Sequence, residues 1–183
     1  MPEIETARLR LRLFRHEDVD ALAAMFSKPA VMRFLPGGQP IPRERIPAGI
    51  ERRINDWATR GFGLFALDDK ATGALIGQAG LFPLEDTAEI EVAYLLDEPY
   101  WGQGLATEAA RACLGFGFET LHLSRIVAVA VPANRASTRV MEKLGMAYQG
   151  PAHHYGLDVA RYAITRESFA ALDTDHRPLT TDH

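Results

Sequence analysis

The chain has 183 residues, of which 47% are hydrophobic and 24% are charged, and its formal net charge is −4. These values are typical of a soluble domain with a hydrophobic core, and the acidic balance disfavours non-specific nucleic-acid binding, which needs a cationic surface. No run of about 18 apolar residues is present, so we expect no transmembrane helix and no membrane partner. The first ten residues lack the apolar core of a secretory signal, and the single cysteine, Cys113, cannot form an internal disulfide, so we expect a cytoplasmic protein.

The first half of the chain predicts one strand and two helices. Apolar and basic residues alternate over 9–13, which predicts a half-buried strand. Apolar residues recur at helical spacing over 16–26 and again over 43–59, where Pro47 either kinks the helix or delays its start. The prolines and glycines over 29–40 predict a loop between the two helices.

The second half changes to a period of two and then alternates helices with strands. Strands are predicted over 63–67, 74–82, 89–96, 125–131 and 158–165, and helices over 107–118 and 136–144. The polar tail, 173–183, is predicted to be disordered. The order β-α-α-β-β-β-α-β-α-β indicates an α/β fold with a mixed sheet (α+β type), in a single domain over residues 6–172.

A glycine-rich segment, 100–109 (YWGQGLATEA), follows a predicted strand and opens a helix. The first amides of a helix have no internal partner and lie at the positive end of the helix dipole, which suits a diphosphate. Gly102, Gly104 and the small Ala106 let the backbone approach such a group closely, although a turn that merely begins a helix has the same residues. The segment is not a Rossmann fingerprint, because a third glycine is missing, nor a Walker A loop, because no Gly-Lys-Ser/Thr follows.

In its context this segment resembles the acyl-CoA pyrophosphate loop of GNAT acetyltransferases, usually written R/Q-x-x-G-x-G/A. Trp101 stands at the first position, as in the RimJ/RimL-like branch. Three more segments resemble that branch in the correct order: TARLRLR over 6–12, FSKPAVMRFLP over 26–36, and the N-x-x-S and E-K-L-G-M elements over 134–146. The resemblance implies a GNAT-type acyltransferase fold, with a central mixed, mostly antiparallel sheet flanked by helices. It also implies acetyl-CoA as co-substrate and an amine as acceptor.

The resemblance further implies where the co-substrate binds. Two parallel strands, 89–96 and 125–131, would splay apart around the pantetheine arm, and Leu95 and Leu96 would offer it backbone groups. An amide near them would stabilise the oxyanion that forms on attack. The pyrophosphate would be held by the loop and helix start, namely Gly102, Gln103, Gly104, Leu105, Ala106 and Thr107.

Asn134 and Ser137 each have two interpretations. Asn134 fits the N-cap of a helix, with Ser137 at the third helical position, and capping alone would explain both residues. The resemblance adds a contact from Asn134 to the pantetheine arm and places Ser137 near the CoA sulfur, where its hydroxyl would protonate the leaving thiolate. Many GNAT enzymes use a tyrosine one turn further along this helix, but Met141 occupies that place here.

Glu91 is the candidate general base, because the amine acceptor must lose a proton to attack a thioester. On its strand, Glu91 shares one face with Glu89, Ala93 and Leu95. It also falls where the RimJ/RimL-like pattern has an acidic residue. Glu89 and solvent are the alternative bases, and a carboxylate on a solvated strand face is the structural alternative.

Other polar clusters have open interpretations. His153, His154 and Tyr155 are predicted to lie in a polar loop before the last strand, either lining an acceptor pocket or solvated. Two basic groups are predicted to be surface charge, with binding of CoA phosphates as the alternative: Arg43, Arg45, Arg52 and Arg53 on one helix, and Arg135, Arg139 and Lys143 on another. For the first group, binding an acidic acceptor is a further alternative.

The acceptor and the assembly are not determined by these patterns. The resemblance allows a protein N-terminus or a small-molecule amine as acceptor, and either a monomer or a homodimer. A non-catalytic CoA-binding or sensor module and a structural interaction protein are the competing classes. No spacing of His, Cys or Asp suggests a metal site, so we expect none.

Overall fold

The computed structural model describes residues 2–175. This part of the chain has eight strands: β1 (Ile4–Glu5), β2 (Leu9–Arg12), β3 (Leu64–Asp69), β4 (Leu75–Pro83), β5 (Ile90–Leu96), β6 (Arg125–Ala130), β7 (Ala147–His154) and β8 (Leu157–Thr165). They form one sheet in the order β1-β2-β3-β4-β5-β6-β8-β7, in which β5 and β6 are parallel and every other neighbouring pair is antiparallel. The predicted mixed, mostly antiparallel sheet is confirmed.

The α-helices of the described residues are α1 (Val19–Phe26), α2 (Pro29–Met32), α3 (Ile46–Arg60), α4 (Leu105–Gly115), α5 (Arg135–Lys143) and α6 (Arg166–Asp175). Pro47 lies in the first turn of α3, where its missing N–H has no helical partner to lose, so it delays the helix and does not kink it. Pro29 begins the short α2 in the segment predicted to be a loop, for the same reason. After α4 the chain continues as one π-helical turn, Phe116–Thr120.

Helices cover both faces of the sheet, and the period of two in the strands assigns each residue to a face. On one face, called here the α3 face, Ala66 and Leu95 pack with Leu22 of α1 and Ile50 of α3. On the opposite face, called the α4 face, strand residues such as Phe65 and Val92 pack with residues of α4 and α5, including Ala109, Cys113 and Met141. The face on which a strand residue lies therefore determines which helices and which polar groups its side chain can contact.

Three predictions of local structure are corrected. The strands β1 and β7 were not predicted, since β1 has two residues and β7 contains Gly150 and Pro151, which interrupt any alternation. β7 is an edge strand with a register shift between Tyr148 and Gly150, a place where a sheet tolerates both residues. The helix α6 extends three residues into the predicted disordered tail, and 176–183 lie outside the described residues. Within residues 2–175, no helix is long and apolar enough to cross a membrane.

Candidate active site

The sheet opens at its centre, between β5 and β6. The parallel pairing has a single residue pair, Glu91 opposite Val127. In contrast, β5 pairs with β4 over its whole length, from Ile90 to Leu96, and β6 pairs with β8 over all of its own. The two parallel strands therefore diverge beyond Glu91, and a gap opens beside the last residues of β5.

Backbone alternation determines which groups of β5 face this gap. The amide of Asp97 donates to the carbonyl of Ile76 in β4 at 2.8 Å, and the carbonyl of Glu89 accepts from Leu84 at 2.9 Å. In an antiparallel ladder the groups of alternate residues point to the same neighbour, so Leu95 also directs its N–H and C=O to β4. Tyr94 and Leu96 direct theirs to the gap. Of the predicted pair, only Leu96 has gap-facing backbone groups, and Tyr94 takes the place expected for Leu95.

The glycine loop begins immediately after this gap. A 3₁₀ turn, Glu98–Tyr100, leads to Trp101, whose indole N–H donates to the Leu96 carbonyl at 2.8 Å. Gly102 and Gly104 have φ values of 71° and 78°, in the left-handed region that glycine adopts without strain. A Cβ built on Gly102 would meet nothing within 4 Å, so internal packing does not require glycine at this position.

Gly104 is the N-cap of α4, so the first helical amides, those of Leu105, Ala106 and Thr107, have no intrahelical acceptor. A salt bridge supports this helix start from the edge of the sheet. Glu108 accepts from the Thr6 hydroxyl at 2.6 Å and pairs with Arg8 at 2.7 Å, and Arg8 also donates to the Gln103 carbonyl at 2.9 Å. A cationic side chain thus lies directly beside the loop. Arg8 has no local sequence signal for this role, because its contact with Glu108 spans 100 residues.

The predicted capping by Asn134 is present. Its side-chain oxygen accepts from the Ser137 amide at 3.2 Å at the start of α5. The Ser137 hydroxyl lies 3.0 Å from the hydroxyl of Tyr94, which also donates to the Ser137 carbonyl at 2.9 Å. Burial raises the pKa of Tyr94, so this phenol stays protonated at neutral pH. Met141 is buried in the core, and the hydroxyl that contacts Ser137 comes from Tyr94 on the strand and not from the helix.

Glu91 lies on the α3 face and is only 4% exposed. It stands beside a small apolar cluster that includes Leu84 and Val127. Tyr155 donates its hydroxyl to the Glu91 carboxylate at 2.7 Å. Burial raises the pKa of Glu91 to about 7, while the hydrogen bond from Tyr155 opposes this shift and the negative charge of Glu85 adds to it. Glu91 is therefore a carboxylate that exchanges a proton near neutral pH, which is what a general base requires.

The fallback base, Glu89, is held in ion pairs. Its carboxylate accepts from Arg161 at 2.6 Å and from Arg125 at 3.4 Å. These two arginines occupy its oxygens, so Glu89 is the weaker candidate for a proton acceptor.

The predicted loop with His153, His154 and Tyr155 is in fact the end of β7 and its turn to β8. Tyr155 and Gly156 both have positive φ, at 57° and 72°, the geometry of a two-residue type I′ turn. Glu85 holds this turn, accepting from the Tyr155 amide at 2.7 Å and contacting His154 at 3.0 Å. His153 is exposed and pairs with Asp158. Of these three side chains, that of Tyr155 contacts the candidate base, Glu91, and the left-handed backbone at Tyr155 orients the side chain toward it.

The two basic groups differ in position. Arg135, Arg139 and Lys143 are exposed along α5, as predicted, and so are Arg43, Arg45 and Arg52. Arg53 is buried, with 9% exposure, so its prediction as surface charge is wrong. Among residues 2–175, no group of three potential His, Cys, Asp or Glu metal ligands comes together.

Two hydroxyls and a carboxylate therefore flank one gap, with a helix start suited to phosphate beside it. Residues 8–147 match the family described as the acetyltransferase (GNAT) domain. The chain belongs to the GNAT family.

Relatives and solved structures agree with this assignment. The chain is 32% identical to the uncharacterized protein YkkB of Bacillus subtilis, over 87% of this chain and 94% of the relative. It is 30% identical to the [ribosomal protein uS5]-alanine N-acetyltransferase of Escherichia coli, over 83% of this chain and 81% of that protein, so the RimJ/RimL-like resemblance is confirmed. The crystal structure of a GNAT-family acetyltransferase from Bacillus anthracis superposes with a TM-score of 0.78 at 28% identity, covering 91% of this chain and 99% of that one.

Proposed function

We propose that this GNAT protein transfers the acetyl group of acetyl-CoA to a primary amine, by direct attack in a ternary complex. The observation that carries the proposal is the gap between β5 and β6. It is bordered by the glycine loop and by Tyr94 and Ser137 on the α4 face, and by a buried carboxylate with a pKa of about 7 on the α3 face.

For acetyl-CoA we propose the α4 face and the gap. The loop from Gly102 to Thr107 holds the pyrophosphate through backbone amides at the start of α4. Arg8, paired with Glu108, supports the loop through its hydrogen bond to the Gln103 carbonyl. The pantetheine arm runs along the gap-facing backbone of Tyr94 and Leu96, as an added strand would. Asn134, at the start of α5, borders the far side of this path.

The amine approaches from the α3 face. Glu91 takes the proton that the ammonium must lose, directly or through water, and the amine nitrogen forms a bond to the thioester carbonyl carbon. The carbon–sulfur bond breaks, and the thiolate takes a proton from the hydroxyl pair of Ser137 and Tyr94. The nitrogen loses its second proton as the amide forms, and this proton returns through water to the hydroxyl pair. We place Ser137 next to the sulfur, and the Tyr94 hydroxyl, 3.0 Å from that of Ser137, orients it.

A panel of amines with acetyl-CoA, read out by free thiol release and by the mass of the product, tests this proposal. Peptides with free N-termini and small-molecule amines form separate arms, because the acceptor class is open. We expect at least one acceptor to turn over, and calorimetry should show CoA binding without acceptor. CoA binding without turnover of any acceptor would favour a sensor module, and no CoA binding would remove the proposal altogether.

A further inference from the structure

A second feature of the α3 face is a cleft of about 300 Å³ between α3 and the end of β4. Its lining includes three arginines and two carboxylates, along with apolar strand residues: Arg52, Arg53, Arg60, Asp56, Glu85 and Phe82 are among them. The mechanism proposed above uses none of the arginines. The cleft lies next to the candidate base, because its lining residue Phe82 is the partner of Glu91 across the β4–β5 ladder and its lining residue Glu85 holds the turn of Tyr155.

The buried member of the cleft is Arg53, whose partners are all uncharged. Its guanidinium donates twice to the Gln78 side-chain oxygen, at 2.8 and 3.0 Å, and once to the Gly49 carbonyl at 2.8 Å. It lies over the rings of Phe14 and Phe26, at 5.2 and 5.9 Å from their centroids. Among residues 2–175, no carboxylate lies within ion-pair distance of it. Burial lowers the pKa of Arg53 to about 10, so it remains charged at neutral pH.

The two carboxylates of the cleft each contact groups other than Arg52 and Arg53. Asp56 pairs with Arg60 at 2.8 Å, and Glu85 accepts from the Tyr155 amide and contacts His154. Arg52 stands next to Arg53 at the exposed side of the cleft and, like it, makes no ion pair within the described residues. The cleft therefore contains two arginines without an ion-pair partner among the described residues, one of them buried, and its three arginines and two carboxylates leave a net charge of +1. A net positive charge with a buried guanidinium favours the binding of an anion.

The distance from these charges to the base limits the size of a ligand. Gln78, which holds Arg53, and Phe82, which stands opposite Glu91, are four residues apart on one face of β4. Four residues of strand span roughly 13 Å. Arg52 and Arg53 line the cleft from α3. An anion at Arg52 and Arg53 would thus lie on the order of 10 Å from an amine at Glu91.

We infer that this cleft is an anion subsite for the acceptor, and that the preferred acceptor is an amine with a carboxylate or phosphate on the order of 10 Å from its nitrogen. This inference rests on the proposed function and specifies its acceptor class. Charge pairing by Arg52 and Arg53 holds the far end of the acceptor, so that its amine stays beside Glu91.

Matched acceptors separate this inference from the proposed function. One pair is the peptide amides Ala-Ala-Glu and Ala-Ala-Gln, and the other is an ω-amino carboxylate series with its methyl esters. In both pairs the anionic member should have a KM lower by about 10- to 100-fold, the effect of a charge-assisted contact. If only one pair shows the difference, that pair tells whether a peptide or a small molecule fits the cleft.

Three variants test the residues. Arg52→Gln and Arg53→Gln should remove most of the preference for the anionic member, measured as the ratio of kcat/KM between the anionic and the neutral member. Arg52 is exposed, so its variant remains informative even if Arg53→Gln fails to fold. Arg45→Gln makes the same charge change on an exposed residue that does not line the cleft, and it should keep the preference. Equal KM values for charged and neutral acceptors in an active wild type would overturn the subsite but leave the acetyltransferase proposal intact.

Discussion

Glu91 and Tyr94 lie three residues apart on β5, and their side chains leave the strand on opposite faces of the sheet. The carboxylate meets Tyr155 on the α3 face, and the phenol meets Ser137 on the α4 face. In a closed sheet these groups could not act on the same molecule. Because β5 and β6 pair at a single position, the gap beside them would let both groups approach one thioester in the proposed reaction.

Replacing Glu91 by glutamine should remove the base and keep its shape. We expect kcat/KM at neutral pH to fall by about 10²–10⁴-fold, the usual contribution of a general base. The variant should recover part of its rate as pH rises, because free amine becomes abundant. A pH series with a working acceptor measures this, and equal rates for variant and wild type throughout would point to solvent as the base.

Tyr155→Phe should shift the pH profile without removing the base. The hydrogen bond from Tyr155 favours ionised Glu91, so its loss should raise the pKa of Glu91 from about 7 to a higher value. Wild-type kcat/KM should rise with pH through that pKa, and the rise in the variant should occur at higher pH with a similar plateau. A lowered plateau with an unmoved midpoint would mean that Tyr155 does not tune Glu91.

Gly104→Val should weaken CoA binding by at least about tenfold, because a side chain would stand where the backbone approaches the pyrophosphate. Gly61→Val is the matched control. Gly61 ends α3 with a φ of 75°, and a Cβ built on it would meet nothing within 4 Å. It lies outside the glycine loop that precedes α4. Both variants carry similar backbone strain, so their unfolding free energies should fall alike while calorimetry shows a CoA defect only for Gly104→Val. Similar affinities for the two would contradict the loop assignment.

Ser137→Ala should lower kcat by a moderate factor and leave CoA affinity unchanged. A CoA thiol has a pKa close to that of cysteine, roughly 8.5, so water substitutes in part for the missing hydroxyl. The Asn134 cap accepts from the backbone amide of residue 137, so the variant keeps it. Thr138→Ala, which removes the neighbouring hydroxyl, is the control and should retain full kcat. If both variants match wild type at saturating substrates, Ser137 has only its role in the helix start.

The sequence predicted the parts of the site that follow from local periodicity. The period of two on β5 correctly placed Glu91 and Leu95 on one face, and the glycine pattern located the start of α4. Arg53 was misassigned although its signal was present. It continues the apolar stripe of Ile46, Ile50 and Trp57 at helical spacing, so its position on the buried face could have been inferred.

Other contacts had no local signal. Tyr94 and Ser137 are 43 residues apart, and Tyr155 and Glu91 are 64 apart, so only the strand order brings each pair together. The choice between Leu95 and Tyr94 as gap-facing residues depends on the hydrogen-bond phase of the β4–β5 ladder. Sequence periodicity assigns side chains to faces, but it does not indicate which neighbouring strand a backbone group addresses.

The single pair between β5 and β6 also has a mechanical meaning. The sheet is in effect two smaller sheets, of five and three strands, joined along a seam that has almost no ladder hydrogen bonds. Helices α4 and α5 lie on the α4 face and pack against strands of both halves of the sheet. A pantetheine arm hydrogen-bonded along this seam would supply hydrogen bonds that the two strands do not make to each other. In that case the co-substrate would also be a structural member of the folded protein, lost and regained at every turnover.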